Sequence, residues 1–155
     1  MSLEKAKNHL EKFGLADRIR EFDVSSATVE LAAKALGCEE AEIAKSMAFM
    51  VDDAPIIIVC AGDTKIDNAK YKAMFRTKAV MIKFAELEPL VGYAAGGVCP
   101  FGVNEGVTVY LDESLKRFDT VYPAAGTANS AVRLSVPELE KASQMSAWVD
   151  VTKMM

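Results

Sequence analysis

Three glycines and a proline fall within seven residues, Gly96-Gly97-Val98-Cys99-Pro100-Phe101-Gly102, a run entered through Gly92-Tyr93. Such a run cannot be helical and makes a poor strand interior. Glycine reaches positive φ without penalty and lets a second backbone or a ligand come close. Pro100 fixes its own φ and pushes Cys99 toward extended geometry. The product is a stiff loop. It reads either as a tight connection between strands or as a cradle whose N–H groups face an oxygen-rich ligand.

On both sides of this loop, short periodic segments follow one another. Leu3, Ala6, Leu10 and Phe13 recur at helical spacing with Gly14 as the stop, and His9 sits among polar neighbours, which predicts a surface position. Arg18 to Asp23 alternates like a strand, and Ser25-Ser26-Ala27-Thr28 supplies caps for a helix over 29–36 closed by Gly37. A second short helix is expected over 38–45. A strand over 46–51, an Asp52-Asp53 turn and the β-branched run from Ile56 to Ala61 then form a hairpin.

Asp67 caps a helix to about Phe75, and strands are expected over 80–84 and 107–111, with a short helix over 86–91. A helical turn over 112–118 and an extended stretch over 120–124 precede a second small-residue loop, Ala125-Gly126-Thr127-Ala128-Asn129-Ser130. A strand over 131–134, a helix opened by Ser135-Val136-Pro137-Glu138 and a strand over 148–151 finish the chain. With 155 residues and no linker or repeat, this reads as one α/β domain with a mixed, largely antiparallel sheet. Regular βαβ spacing is missing, so a doubly wound sheet is not expected.

The residue inventory excludes several chemistries. Cys38, Cys60 and Cys99 are odd in number, far apart and without a CxxC pair, which argues against a disulfide framework and a zinc site and for a reducing cytoplasm. His9 is the single histidine, so two-histidine metal sites are ruled out, and a Cys99–His9 dyad would need a base from the N-terminal helix. There is no G-x-S-x-G elbow and no Walker loop. No apolar run reaches membrane-span length, and the charged N-terminus is not a signal peptide. Neither metal nor cofactor is expected.

Two charged features remain. Lys45, expected at a helix-to-strand junction, is either a surface charge favoured by the helix dipole or a point charge at a cleft rim that holds a phosphate or carboxylate. From Lys65 to Lys83 there are six basic residues (Lys65, Lys70, Lys72, Arg76, Lys78, Lys83) against one acid, Asp67. In a chain of net charge −4 this stretch is either a solvated face or a landing strip for phosphates.

Taken in order, Ile43-Ala44-Lys45-Ser46-Met47-Ala48-Phe49, Gly62-Asp63, the 96–102 loop, Asp112-Glu113-Ser114-Leu115 and Ala124-Ala125-Gly126 resemble the YbaK and prolyl-tRNA-synthetase-associated domain family, over about 28–151. The resemblance implies a barrel-like mixed sheet flanked by helices, and a free-standing editing domain that hydrolyses mischarged aminoacyl-tRNA in trans. Aminoacyl-tRNA is then the partner, with a synthetase as a further one.

Carried over residue by residue, Lys45 corresponds to the family's functional lysine at the tRNA 3′ end. Gly96, Gly97 and Pro100, with Val98, Cys99, Phe101 and Gly102, correspond to the glycine–proline loop of the substrate pocket, and Gly126 opens the second pocket loop. Met47 and Phe49 are candidate walls or core residues, and Asn129 and Ser130 are polar residues near the pocket. Lys65, Lys70, Lys72 and Arg76 could contact tRNA phosphates, a task the resemblance does not assign.

An aminoacyl ester is already activated, so positioned water and backbone donors can suffice without a strong nucleophile. A small pocket would select by size. Two departures stand out. Ala131 occupies the place where some members carry an acid, and the tyrosine that some place in the first strand has no counterpart beyond Phe22. They leave the edited amino acid open. A non-catalytic tRNA- or synthetase-binding module of the same fold is the alternative, and a small-nucleotide binder a weaker one.

Overall fold

The run of β-branched residues at Ile56–Val59 lies at the middle of the molecule. In the computed structural model, which describes residues 2–155, it forms the centre of β3 (Ala54–Ala61). β3 pairs antiparallel with β2 (Ile43–Val51) through a two-residue turn, Asp52-Asp53, whose φ values of 49° and 68° match the primed turns that suit hairpin twist. Its other edge pairs parallel with β5 (Thr108–Asp112), which in turn carries β9 (Ala147–Val149). On the far edge of β2 come β6 (Thr120–Pro123), parallel, and then β8 (Leu134–Ser135), antiparallel.

Two small antiparallel sheets complete the curled half-barrel: β1 (Ile19–Glu21) with β7 (Ser130–Val132), and β4 (Thr64–Ile66) with β10 (Thr152–Met154). Four of the seven described strand pairings are antiparallel.

Side chains alternate across a strand, so β3 feeds two cores. Ile57 and Val59 join Leu10, Tyr93, Phe101, Leu111 and Leu139 beneath helices α1 (Ser2–Glu11) and α5 (Val136–Ala142). Ile56 and Ile58 face the opposite way, where Phe49 and Tyr71 stack at 5.3 Å below α3 (Asn68–Phe75). Burying each such aliphatic side chain stabilises the fold by about 1.5–3 kcal/mol. A third, smaller cluster seats α2 (Val29–Leu36) on Ile43, with Thr28 as its N-cap and Gly37, in the left-handed region, as its C-cap. The short α4 (Leu87–Val91) leads into the glycine loop.

Several sequence expectations are corrected. The helix over 38–45 is one 3-10 turn, Glu40–Glu42, because Glu39 and Glu42 close a capping box around it and the chain leaves extended at Ile43. Lys45 therefore lies inside β2, opposite Cys60, and not at a helix end. The 80–84 segment is not a full strand. It touches β2 through one bridge, Phe49 to Met81, before a 3-10 turn begins at Phe84. His9 is buried, with Nε2 2.6 Å from the Ala142 carbonyl and its ring between Phe13 and Phe101, because α5 folds back over that face of α1.

Candidate functional site

Because β6 covers only the start of β2, the sheet has a gap. The ladder ends at Ala44 opposite Pro123, and the next bond on that edge runs from the Ile82 N–H to the Ala48 carbonyl, 3.0 Å away. Between those points Ser46 presents its backbone edge to a cleft of about 220 Å³. The cleft floor is β2 from Ile43 to Ala48. Its walls are the start of α2, the glycine loop at Ala95, Gly96 and Val98, and the second loop at Ala124, Ser130 and Ala131, with Met81 and Leu87 at the rim. Small side chains dominate, so the space is set by what the sequence omits.

Two loops meet at this cleft with almost no clearance. A Cβ on Gly97 would sit 2.5 Å from the Gly126 carbonyl oxygen, and one on Gly126 would sit 2.5 Å from the Ser2 carbonyl and 2.9 Å from the Tyr93 ring. Gly96 and Gly126 have φ values of 86° and 95°, where an L side chain is strained. The Gly97 N–H is spent on the Ala94 carbonyl at 3.1 Å. Among the described residues, the amides of Gly96 and Val98 have no protein acceptor, which leaves them available to a ligand.

Of the residues singled out from the sequence, Lys45, Met47, Gly96, Val98 and Ser130 line the cleft. Lys45 is half-buried, and its Nζ donates to the Thr64 carbonyl. Thr64 is held in turn by its hydroxyl, which donates to the Ala61 carbonyl at 2.7 Å. Beside Lys45, Asp63 forms a two-pronged pair with Arg117 at 2.6 and 3.1 Å. That guanidinium, with a smaller contribution from Lys45, holds the Asp63 carboxyl below the usual carboxylate range.

The remaining residues lie elsewhere. Phe49 is in the core below α3, and Cys99, Pro100 and Phe101 are buried behind the loop and anchor it. The Tyr93 hydroxyl donates to the Phe101 carbonyl, and burial pushes the Cys99 thiol up to about 12. Gly102 lies against His9 and Lys5. Asn129 faces outward and ties down the Phe22 carbonyl at 3.1 Å, so neither of the two reaches the cleft. Ser130 is engaged with Thr127, its Oγ 2.6 Å from the Thr127 hydroxyl. Of the basic residues, Lys70 is bound to Asp150 at 3.0 Å and to the Thr152 carbonyl, while Lys65 and Lys72 are exposed and Arg76 closes α3 in the left-handed region.

Ser46 is the residue that sequence reasoning passed over. Its Oγ is buried at the cleft and has no hydrogen-bond partner. A buried hydroxyl without a partner costs roughly 1–3 kcal/mol. The sequence offers no warning, because the gap that orphans it comes from pairings distant in the chain.

The sequence profile of the aminoacyl-tRNA editing domain family matches residues 23–142, more than half of the chain. The chain belongs to that family. Uncharacterized protein YwhH of Bacillus subtilis is 46% identical to this editing-domain chain, covering 99% of it and 98% of YwhH. A proline–tRNA ligase of Bacillus cytotoxicus is 24% identical over 72% of the chain, which spans 19% of that ligase. A crystal structure described as "a putative trans-editing enzyme for prolyl tRNA synthetase" superposes with a TM-score of 0.88 at 27% identity, over 98% of this chain and 97% of that one. Among the described residues of this editing domain, no helix is long and apolar enough to cross a membrane.

Proposed function

We propose that the protein hydrolyses the ester of mischarged aminoacyl-tRNA in trans, with the cleft beside β2 as its active site. The observation that carries this reading is a cleft of about 220 Å³, walled largely by alanines and by Gly96, with one ammonium group, Lys45, at its edge. That space suits a small aminoacyl group and shuts out large ones, which is discrimination by size. Lys45 binds the terminal phosphate or ribose region and orients the ester. Water attacks the ester carbonyl, and the free amides of Gly96 and Val98 face the developing oxyanion. The Ser46 hydroxyl holds either the attacking water or the substrate's α-amino group. The carbonyl–O3′ bond then breaks, the ribose oxygen takes a proton, and free amino acid and uncharged tRNA leave.

A binding module without turnover is the second reading. It is favoured by the lining: among the described residues, Lys45 and Tyr122 are the only ionisable side chains at the cleft, and Ala131 stands there where the family resemblance gives some members an acid. A deacylation assay decides. Wild type and Lys45→Ala are offered tRNAs charged with Ala, Ser, Thr and Cys. Release of one amino acid by wild type, reduced at least ten-fold in the variant, supports the enzyme. Binding of the panel without release above the blank supports the module.

A further inference from the structure

We propose that the segment from Val80 to Phe84 is a stacking platform for the single-stranded 3′ end of an RNA whose terminus enters the cleft. This rests on the tRNA reading above and names the surface that delivers the substrate. Phe84 is 78% exposed, Met81 62% and Val80 55%, an apolar strip on a face that also carries charge. Met81 forms part of the cleft rim, and Phe84 follows three residues later, at most about 11 Å along the chain. The strip is rigid. The Met50 N–H donates to the Val80 carbonyl and the Ile82 N–H to the Ala48 carbonyl, both at 3.0 Å, and Ile82 is buried beneath it.

The chemistry of the flanks says what covers it. From Asn68 to Ala85 there is no acidic residue, and among the described residues Lys72, Arg76, Lys78 and Lys83 carry no ion pair. Lys72 and Lys78 border one groove between α3 and Ala79, the residue that leads into this segment, and Lys83 is exposed immediately before Phe84. A basic track that ends in an exposed aromatic near the cleft rim matches a polyanion with unpaired bases: phosphates follow the lysines and a base stacks on the ring. An apolar protein partner would gain nothing from four unpaired cations around its contact.

The test uses an RNA hairpin with a single-stranded 3′ overhang carrying 2-aminopurine, titrated with wild type, Phe84→Ala and Phe84→Tyr. Phe84 is exposed, so neither change disturbs the core. Quenching of the base by wild type, with Kd weakened about ten-fold in Phe84→Ala and restored in Phe84→Tyr, is the expected result. Equal binding and quenching by wild type and Phe84→Ala overturns the platform, and so does equally tight binding of a blunt duplex. Deacylation measured in parallel separates the two ideas. Release without any effect of Phe84→Ala sinks the platform and keeps the enzyme. Quenching that depends on Phe84, without release, keeps the platform and sinks the enzyme.

Discussion

Gly97 and Gly126 meet backbone to backbone, with the space for a Gly97 Cβ filled by the Gly126 carbonyl 2.5 Å away. The two loops that wall the cleft are thus one mechanical unit, closed on its far side by Tyr93 and the carbonyl of Ser2. Gly97→Ala must push the loops apart. Overpacking of this kind costs roughly 1–3 kcal/mol, so the variant melts several degrees lower. Gly126→Ala should do the same, with added strain from its positive φ. Because the residues touch, the double variant should lose less than the sum of the two single losses. Additive melting shifts would show that the loops act independently.

Cys99 is not a nucleophile by this geometry. It is fully buried behind the loop, and burial raises its thiol to about 12; Cys60, also buried, is raised to about 11. Both stay neutral at pH 6–9, where a thiolate would be needed. Native protein treated with iodoacetamide at pH 8 should label at Cys38 alone, the half-buried thiol, and Cys99→Ala should keep substrate turnover within about three-fold. Rapid labelling of Cys99, or loss of turnover with an intact fold, contradicts this placement.

The elements were readable where local chemistry decided them. The caps at Thr28, Asp67 and Ser135 and the β-branched run of β3 act within a few residues of themselves. The errors lie where distant partners decided. Cys38 to Lys45 is helix-compatible by itself, which puts Lys45 at a helix end, whereas the Glu39–Glu42 capping box stops the turn early and pairing with β6 at Ile43 and with β3 from Ala44 draws the chain into strand. β4 and β10, three residues each, have no periodicity of their own and exist through each other. His9 looked exposed because its burial comes from a helix more than a hundred residues away. The cleft was legible at Lys45 and Gly96. Ala27, Ala44 and Ala124 carry no chemical signal, and Ser46 becomes conspicuous only once the gap beside β2 is seen.

Ser46→Ala removes an orphaned hydroxyl and leaves the strand intact. The variant should be as stable as wild type or more so, by about 1 kcal/mol, since the unsatisfied group no longer has to be buried. If the hydroxyl orients water or the substrate amine, kcat should fall about ten-fold or more while RNA affinity stays unchanged. A stability loss above 1 kcal/mol would instead reveal a structural partner for the hydroxyl.

Lys45→Met tests charge with the aliphatic packing retained. By the proposed reading the ammonium binds the nucleic acid, so affinity should drop and the slope of log K against log salt should shrink by about one unit. KM should rise more than kcat falls. An unchanged salt slope would remove Lys45 from the phosphate path.

Asp63 supplies the pH test. Its carboxyl is held below the usual range, chiefly by the hydrogen bonds from Arg117 and secondarily by the nearby charges of Arg117 and Lys45. A carboxylate whose folded pKa is depressed contributes stability that is present above its unfolded value, about 3.9. That contribution is lost as pH falls through the folded value, because the unfolded chain then binds the proton first. The pair should therefore support the fold at neutral pH and fail below about pH 4. Asp63→Asn removes this contribution, so its melting temperature should lie below that of wild type at pH 7 and converge with it toward pH 3. The pair is partly exposed, which keeps the difference to about 1 kcal/mol or less. Because Asp63 adjoins Thr64, whose carbonyl receives Lys45, the same variant should also loosen the lysine and raise KM at neutral pH. A melting difference that is constant across pH 3–7 would assign Asp63 a role independent of its charge.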